Sequence, residues 1–130
     1  MIIDFPGGSR VDAHFGPFTV ATDQPPDATA PSPFAMFLAS IGTCAGSYVV
    51  GFCQQRGLPT EGLKITETTH AGANGMVDRI DLDVQLPADF PEKYREAVVR
   101  AADQCTVKKH LLQLPTIGIT THVLDGAAAA

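Results

Sequence analysis

The 130-residue sequence has few aromatic and few charged residues. It contains no Trp and two Tyr, and charged residues make up 18% of it, with a net charge of −5. An acidic balance argues against a nucleic-acid-binding surface, and the shortage of aromatic rings argues against a surface on which bases stack. No nucleic-acid partner is therefore expected.

Long apolar runs and leader-like segments are also missing. No run of about 18 apolar residues is seen that would span a membrane, so no membrane partner is expected. The first six residues, MIIDFP, have neither the basic region nor the long apolar stretch of a signal peptide. The prediction is a cytoplasmic location.

Clustered metal ligands are absent as well. The three cysteines, Cys44, Cys53 and Cys105, form no C-x-x-C pair, and the four histidines are scattered. A structural zinc site needs about four ligands at short spacings, so no metal is expected. Chemistry carried by a thiol needs no organic cofactor either. A disulfide scaffold does not suit a reducing compartment. Each thiol is then a packing group, a nucleophile or a redox partner.

The length and the 45% apolar content predict one domain over residues 1–130, with 126–130 as a frayed tail. Strands are expected within 1–22, around turns at 5–9 and 14–17, and then at 63–70, 76–86 and 117–124. Helices are expected at 33–56, after a capping box at 89–92, and at 108–114. Hairpin-joined strands with helices on one side of antiparallel sheet make the fold class α+β.

The first helix is the most informative segment. Ser32 is suited to cap the start of this helix, and Pro33 is favoured at its first position. Gly57 follows its end and is a normal stop signal. Bulky apolar residues line one side of this helix and small residues, including Gly42 and Gly46, line another, which lets a neighbouring backbone come close. A helix that is apolar on nearly every side belongs in the middle of a structure. Together with the low charge content, this predicts that a partner covers part of the surface.

The cysteines occupy different settings in this pattern. Cys44 lies where the bulky stripe meets the narrow polar face, whereas Cys53 lies on the small-residue stripe and is interpreted as packing. Cys105 lies at a helix end, where the N–H groups of a new helical turn would favour its thiolate. A reactive Cys44 needs a nearby cation. Arg10, in a Gly-rich N-terminal turn, is the candidate, and a solvated strand charge is its alternative interpretation.

Two segments resemble a known family. Residues 30–46 (APSPFAMFLASIGTCAG) resemble the first cysteine motif of the OsmC/Ohr family, and residues 102–107 (ADQCTV) resemble its second. Order and spacing agree from about Gly8 to Val123. The resemblance implies an OsmC-like fold, with antiparallel sheets packed on central helices in an intertwined homodimer whose active sites lie at the interface.

The same resemblance implies a function in the stress response, namely thiol-dependent reduction of organic hydroperoxides. Cys44 would be the peroxidatic cysteine, Cys105 the resolving cysteine, and Arg10 the group that stabilises the thiolate. The substrate would be a small apolar hydroperoxide, and an external thiol or lipoyl-type reductant would restore the pair.

The sequence departs from the family pattern in two places. Family peroxidases typically carry a Glu just after the opening Pro, where Phe34 and Ala35 stand here, and the residue after Cys105 is Thr106 instead of the usual Pro. Asp12 or Asp23 are candidate substitutes for the missing Glu. The departures leave two alternatives, a non-catalytic protein that binds a small apolar ligand in the interface pocket and a thiol redox sensor.

Overall fold

Three short antiparallel strands form the N-terminal sheet of the computed structural model, which describes residues 1–125. They are β1 (Ile2–Gly7), β2 (Arg10–Phe15) and β3 (Phe18–Thr22), in the order β1-β2-β3. Gly8 and Gly16 turn the chain with φ of 58° and 54°, a conformation that costs glycine nothing. The turn expected at 5–9 is shorter than predicted because β1 continues to Gly7, with a register shift after Asp4.

The long helix α1 (Pro33–Gln55) begins and ends where local rules place it. Ser32 Oγ accepts the N–H of Ala35 at 3.1 Å, Pro33 occupies the first turn, and Gly57 follows the end with φ of 64°. By length and composition α1 could cross a membrane, so the expectation that no segment could do so is wrong on that criterion. One weakly apolar helix is a poor indication of a span, because the central helix of a soluble protein meets the same criterion.

A two-stranded antiparallel sheet follows, made of β4 (Lys64–Ala71) and β5 (Val77–Gln85). The turn between them is closed by the Gly72 N–H, which donates to the Met76 carbonyl at 2.8 Å. β4 lies against the small-residue stripe of α1: a Cβ at Gly46 would lie 3.7 Å from Ile65 Cδ1. The small-residue stripe therefore receives side chains of β4, while the predicted close approach of a second backbone stays a prediction.

Two short helices complete the described chain. A 3-10 turn (Glu92–Tyr94) leads into α2 (Arg95–Ala102), and α3 (Thr106–Leu112) starts two residues earlier than predicted. The capping box expected at 89–92 does not form, since no side chain caps this turn. The Phe90 N–H instead donates to the Pro87 carbonyl at 3.0 Å, which places Asp89 inside a tight turn before the helix.

The closing strand predicted at 117–124 is not found among residues 1–125. This segment has no regular secondary structure and pairs with neither sheet, and Ile119 and Val123 are 93% and 94% exposed. A strand exists only where a neighbour accepts and donates its backbone hydrogen bonds. Within one chain no strand reaches this segment, so the local pattern alone does not produce the element.

The core of the chain lies between the second half of α1 and α2. Its fully or nearly buried members are Val49, Phe52, Cys53, Phe90 and Val98. The accessible surface is nevertheless 9801 Å², whereas a compact monomer of this mass exposes about 6,600 Å². The α+β class is confirmed, with two antiparallel sheets and the helices, and β4 packs against α1.

Candidate thiol site

Cys44 lies in the middle of α1, half-buried, facing the first residues of α3. The Val107 N–H is the strongest of the hydrogen-bonding groups that lower the pKa of the Cys44 thiol, followed by the Cys105 side chain and by the N–H and hydroxyl of Thr106. Burial acts in the opposite direction and is outweighed. A thiol with a lowered pKa is more fully ionised at neutral pH, and the thiolate is the nucleophile.

Cys105 lies directly before α3 and is buried. Its Sγ accepts the N–H of Lys108 at 3.4 Å and donates to the Ile41 carbonyl at 3.7 Å, so the thiol caps α3 and ties it to α1. The structure thus brings Cys44 and Cys105 together at the α1–α3 junction, with both thiols free. The amide donation predicted for Cys105 comes from Lys108, while those of Thr106 and Val107 act on Cys44.

Sequence reasoning missed one pair at this junction. The Tyr48 hydroxyl, one turn after Cys44 on α1, lies 2.8 Å from Thr106 Oγ1. The only signal available in the sequence was the i, i+4 spacing of Cys44 and Tyr48, which places both on one face of a helix. Nothing local indicates that α3 meets this face.

Arg10 lies elsewhere in the chain, in the N-terminal sheet. Its guanidinium makes two hydrogen bonds to the carboxylate of Asp12, at 2.6 Å and 3.1 Å, and is not one of the groups that act most strongly on Cys44. The Arg10 hydrogen bond lowers the pKa of Asp12. Asp12 therefore supplies Arg10 with a carboxylate partner, while the role of Arg10 towards Cys44 stays a prediction.

The second candidate carboxylate, Asp23, accepts hydrogen bonds from two hydroxyls and two backbone N–H groups. Its oxygens accept hydrogen bonds from the Ser9 hydroxyl at 2.6 Å, the Thr29 N–H and hydroxyl at 2.9 Å, and the Gln24 N–H at 2.8 Å. These donors, Ser9 foremost, hold the pKa of Asp23 well below its usual range. Asp23 pins the loop that leads into α1 and does not contact Arg10 through a hydrogen bond.

Glu67 is a half-buried carboxyl that the sequence pattern did not single out. It projects from β4 towards α1, where a Cβ at Gly42 would lie 2.8 Å from Oε2, while Oε1 is buried without a hydrogen-bond partner. Burial raises the pKa of Glu67. Phe34 and Ala35 leave no carboxylate at the start of α1, and Glu67 lies on the opposite side of α1 from Cys44.

Cys53 has the properties of a packing residue. It is fully buried in the core, and burial raises the pKa of its thiol. A protonated, inaccessible thiol is a poor nucleophile. This setting agrees with the packing role that the sequence assigned to Cys53.

An apolar cavity of about 410 Å³ opens beside Cys105. Its walls come from α1, β5, α2 and α3, and Arg100, Asp103 and Lys108 are its charged members. The apolar lining is supplied mainly by Ile41, Ile80, Leu82, Val84, Val99 and Leu111. Within residues 1–125, no group of three or more metal-ligating side chains accompanies it.

Antiparallel sheets on a central helix, with two free cysteines meeting at a helix junction, define a class of small α+β proteins with a paired-thiol site. The family model described as OsmC-like protein matches residues 26–120. The chain therefore belongs to the OsmC-like family, which confirms the resemblance found in the two cysteine segments. This is a family related to peroxidases and the stress response.

Solved structures share the fold at low sequence identity. An OsmC-like protein from Mycoplasma pneumoniae is 17% identical, with a TM-score of 0.66 over 82% of this chain and 81% of that chain. A Psychrobacter arcticus protein, described as a candidate osmotic stress induced and detoxification response protein, is 17% identical, with a TM-score of 0.69 over 83% of this chain and 84% of that chain. No curated protein matches the sequence.

Proposed function

We propose that the protein is a thiol-dependent peroxidase that reduces organic hydroperoxides, with Cys44 as the peroxidatic and Cys105 as the resolving cysteine. The observation that carries the proposal is the meeting of these two free thiols at the α1–α3 junction, where hydrogen-bond donors lower the pKa of Cys44. The neighbouring cavity is apolar, which suits a small apolar hydroperoxide better than hydrogen peroxide.

In the first step the Cys44 thiolate attacks the distal oxygen of the hydroperoxide. The O–O bond breaks as the S–O bond forms, the alkoxide takes up a proton and leaves as an alcohol, and Cys44 becomes a sulfenic acid. The Cys105 sulfur, after loss of its proton, attacks the Cys44 sulfur and displaces hydroxide, which leaves as water. Two thiols of an external or lipoyl-type reductant then reduce the disulfide by exchange.

The proposal includes an intertwined homodimer. The chain exposes far more surface than a compact monomer of its mass, and its most exposed apolar residues lie at its two ends: Ile2, Phe5, Ile117, Ile119 and Val123. A second copy would cover these ends and give the unpaired 117–124 segment a neighbouring strand. Arg10 is proposed to stabilise the Cys44 thiolate at this interface, and Arg10→Ala is expected to slow the reaction.

The test is a titration of free thiols after treatment of the purified protein with cumene hydroperoxide. Wild type is expected to lose two thiols per chain, Cys44→Ser none, and Cys105→Ser only the Cys44 thiol. Cys53→Ser is the matched control, from the same helix, and is expected to react like wild type. If cumene hydroperoxide oxidises the thiols of wild type no faster than those of Cys44→Ser, the proposal is overturned.

A second candidate is a non-catalytic protein that binds a small apolar ligand. The cavity of about 410 Å³ favours it, as does the absence of a carboxylate at Phe34 and Ala35. An apolar fluorescent probe is then expected to bind and to be displaced by apolar alcohols, while Leu82→Lys is expected to abolish binding. Binding that is unchanged in Leu82→Lys would exclude this cavity.

The proposed location is the cytoplasm. All three cysteines of the chain lie among the described residues and carry free thiols, which is the state that a reducing compartment maintains.

A further inference from the structure

We propose that Thr106 and Tyr48 form a relay of two hydroxyl groups that stabilises the Cys44 thiolate, with Thr106 as the direct donor and Tyr48 as a positioning residue. The inference deepens the proposed peroxidase function, because it names what supports the nucleophile in this chain. The relay also makes its own prediction about Cys44, which can be measured without a peroxide.

The placement of the three residues carries the proposal. Cys44 and Tyr48 are one turn apart on the same face of α1, and Thr106 is the first residue of α3, which crosses this face. Tyr48 Oη and Thr106 Oγ1 are 2.8 Å apart, a normal O–H···O distance. Both the N–H and the hydroxyl of Thr106 lower the pKa of the Cys44 thiol.

The chemistry of the groups sets the direction of the hydrogen bonds. A thiolate only accepts, and a hydroxyl has one proton to donate and two lone pairs to accept with. When Cys44 is ionised, the Thr106 proton is directed to the sulfur, and Tyr48 must then donate to Thr106 Oγ1. A chain of hydrogen bonds with one direction polarises its members and strengthens the bond to the charged sulfur.

A merely structural role for this pair makes a different prediction. If the Tyr48–Thr106 hydrogen bond only fastened α3 to α1, its removal would lower stability and leave the ionisation of Cys44 unchanged. Cys105 already fastens the same junction through Ile41 and Lys108, so α3 does not depend on the hydroxyl pair alone for its position. The readout must therefore be the ionisation of Cys44.

The experiment measures the pH dependence of Cys44 alkylation by iodoacetamide, followed on the Cys44 peptide by mass spectrometry with all three cysteines in place. Thr106→Val keeps the backbone N–H and the size of the side chain but removes the hydroxyl. It is expected to raise the midpoint by about one pH unit, because a hydrogen bond to a charged group is lost. Below the midpoint, alkylation then slows about tenfold at constant pH.

Two further variants complete the test. Thr106→Ser retains the hydroxyl and is expected to keep the wild-type midpoint, while Tyr48→Phe removes only the phenol oxygen and is expected to raise the midpoint by less than Thr106→Val does. A wild-type midpoint in Tyr48→Phe overturns the relay. A wild-type midpoint in Thr106→Val also overturns the role of the Thr106 hydroxyl as the direct donor to Cys44. If Thr106→Val does not fold, the midpoint of Tyr48→Phe decides alone.

Failure of the relay and failure of the peroxidase proposal are separable. If the midpoints shift as expected but cumene hydroperoxide oxidises wild type no faster than Cys44→Ser, the relay stands and the proposed activity is wrong. If wild type is oxidised rapidly and the midpoints do not move, the activity stands and the relay is wrong.

Discussion

Two faces of the helix α1 place the same functional group in opposite environments. Cys44 and Cys53 are nine residues apart, which is two and a half turns at 100° per residue, so they point to opposite sides of α1. Cys44 is half-buried beside α3, whose N–H groups and Thr106 hydroxyl lower the pKa of its thiol, whereas Cys53 is fully buried and its pKa is raised. The hydrogen-bond donors near a cysteine make it reactive, and they can come from elements far along the chain.

The largest expected difference between the two faces is in alkylation rate. In the native protein at pH 8, Cys44 is expected to react with iodoacetamide faster than Cys53 by a factor on the order of 1,000 or more, because Cys53 reacts only when its core opens. Peptide mass spectrometry measures both rates in one sample. In 6 M guanidinium chloride the rates are expected to become equal, and a fast native reaction at Cys53 would contradict the comparison.

The next effect is on stability. Phe52 packs edge-to-face on Tyr94 with ring centroids 5.9 Å apart, and the Arg56 guanidinium lies 3.8 Å from its ring centroid. Phe52→Ala is expected to lower the free energy of unfolding by about 3–5 kcal/mol, measured by urea denaturation. The matched control is Phe37→Ala, on the Cys44 face and 37% exposed in one chain.

Phe37→Ala is expected to act mainly at low protein concentration, by weakening the proposed dimer. Equal losses for both variants at every concentration would show that Phe37 is packed as tightly as Phe52.

Glycine substitutions are expected to separate the faces by a smaller amount. Gly51 lies on the Cys44 face with nothing within 4 Å of an added Cβ, so Gly51→Ala is expected to stabilise α1 by about 0.5–1 kcal/mol. Gly42 lies on the Cys53 face, where the Cβ would meet Glu67 Oε2 at 2.8 Å. Gly42→Ala is expected to lose this gain, and to recover it in a Glu67→Ala background. Equal gains in stability from Gly51→Ala and Gly42→Ala in the wild-type background would contradict the close contact between position 42 and Glu67.

The smallest effect is the pH dependence of stability, and its sign differs between the faces. The lowered pKa of Cys44 favours the folded state above the pKa of the unfolded chain, and this contribution is lost as pH falls through the folded pKa. The raised pKa of Cys53 favours the folded state below the unfolded pKa, and this contribution is lost as pH rises through the folded pKa.

Between pH 7 and pH 10, wild type is therefore expected to gain stability relative to Cys44→Ser and to lose it relative to Cys53→Ser. Urea midpoints at the two pH values measure both differences in stability. If both differences changed with the same sign, the opposite pKa shifts of Cys44 and Cys53 would be contradicted.

Local rules predicted elements whose causes are local. The start of α1 follows from the Ser32 cap and Pro33, and its end precedes Gly57, because these residues act on the backbone of their own turn. The capping box at 89–92 failed because Phe90 is drawn into the core, so the chain turns before the 3-10 helix begins. The closing strand at 117–124 failed because a strand needs a neighbour, and one chain offers none among its described residues.

The sequence by itself determined the α+β class, the central helix, the packing role of the small-residue stripe and the two cysteine segments that mark the family. These features depend on periodicity, caps and motif spacing, which can be read directly from the order of the residues. Only the tertiary structure decided that α3 crosses the Cys44 face, that Thr106 meets Tyr48 there, and that the Cys105 thiol reaches the Ile41 carbonyl. The physical reason is that these hydrogen bonds join residues 58 and 64 positions apart, so they depend on how the elements pack, which local sequence patterns do not determine.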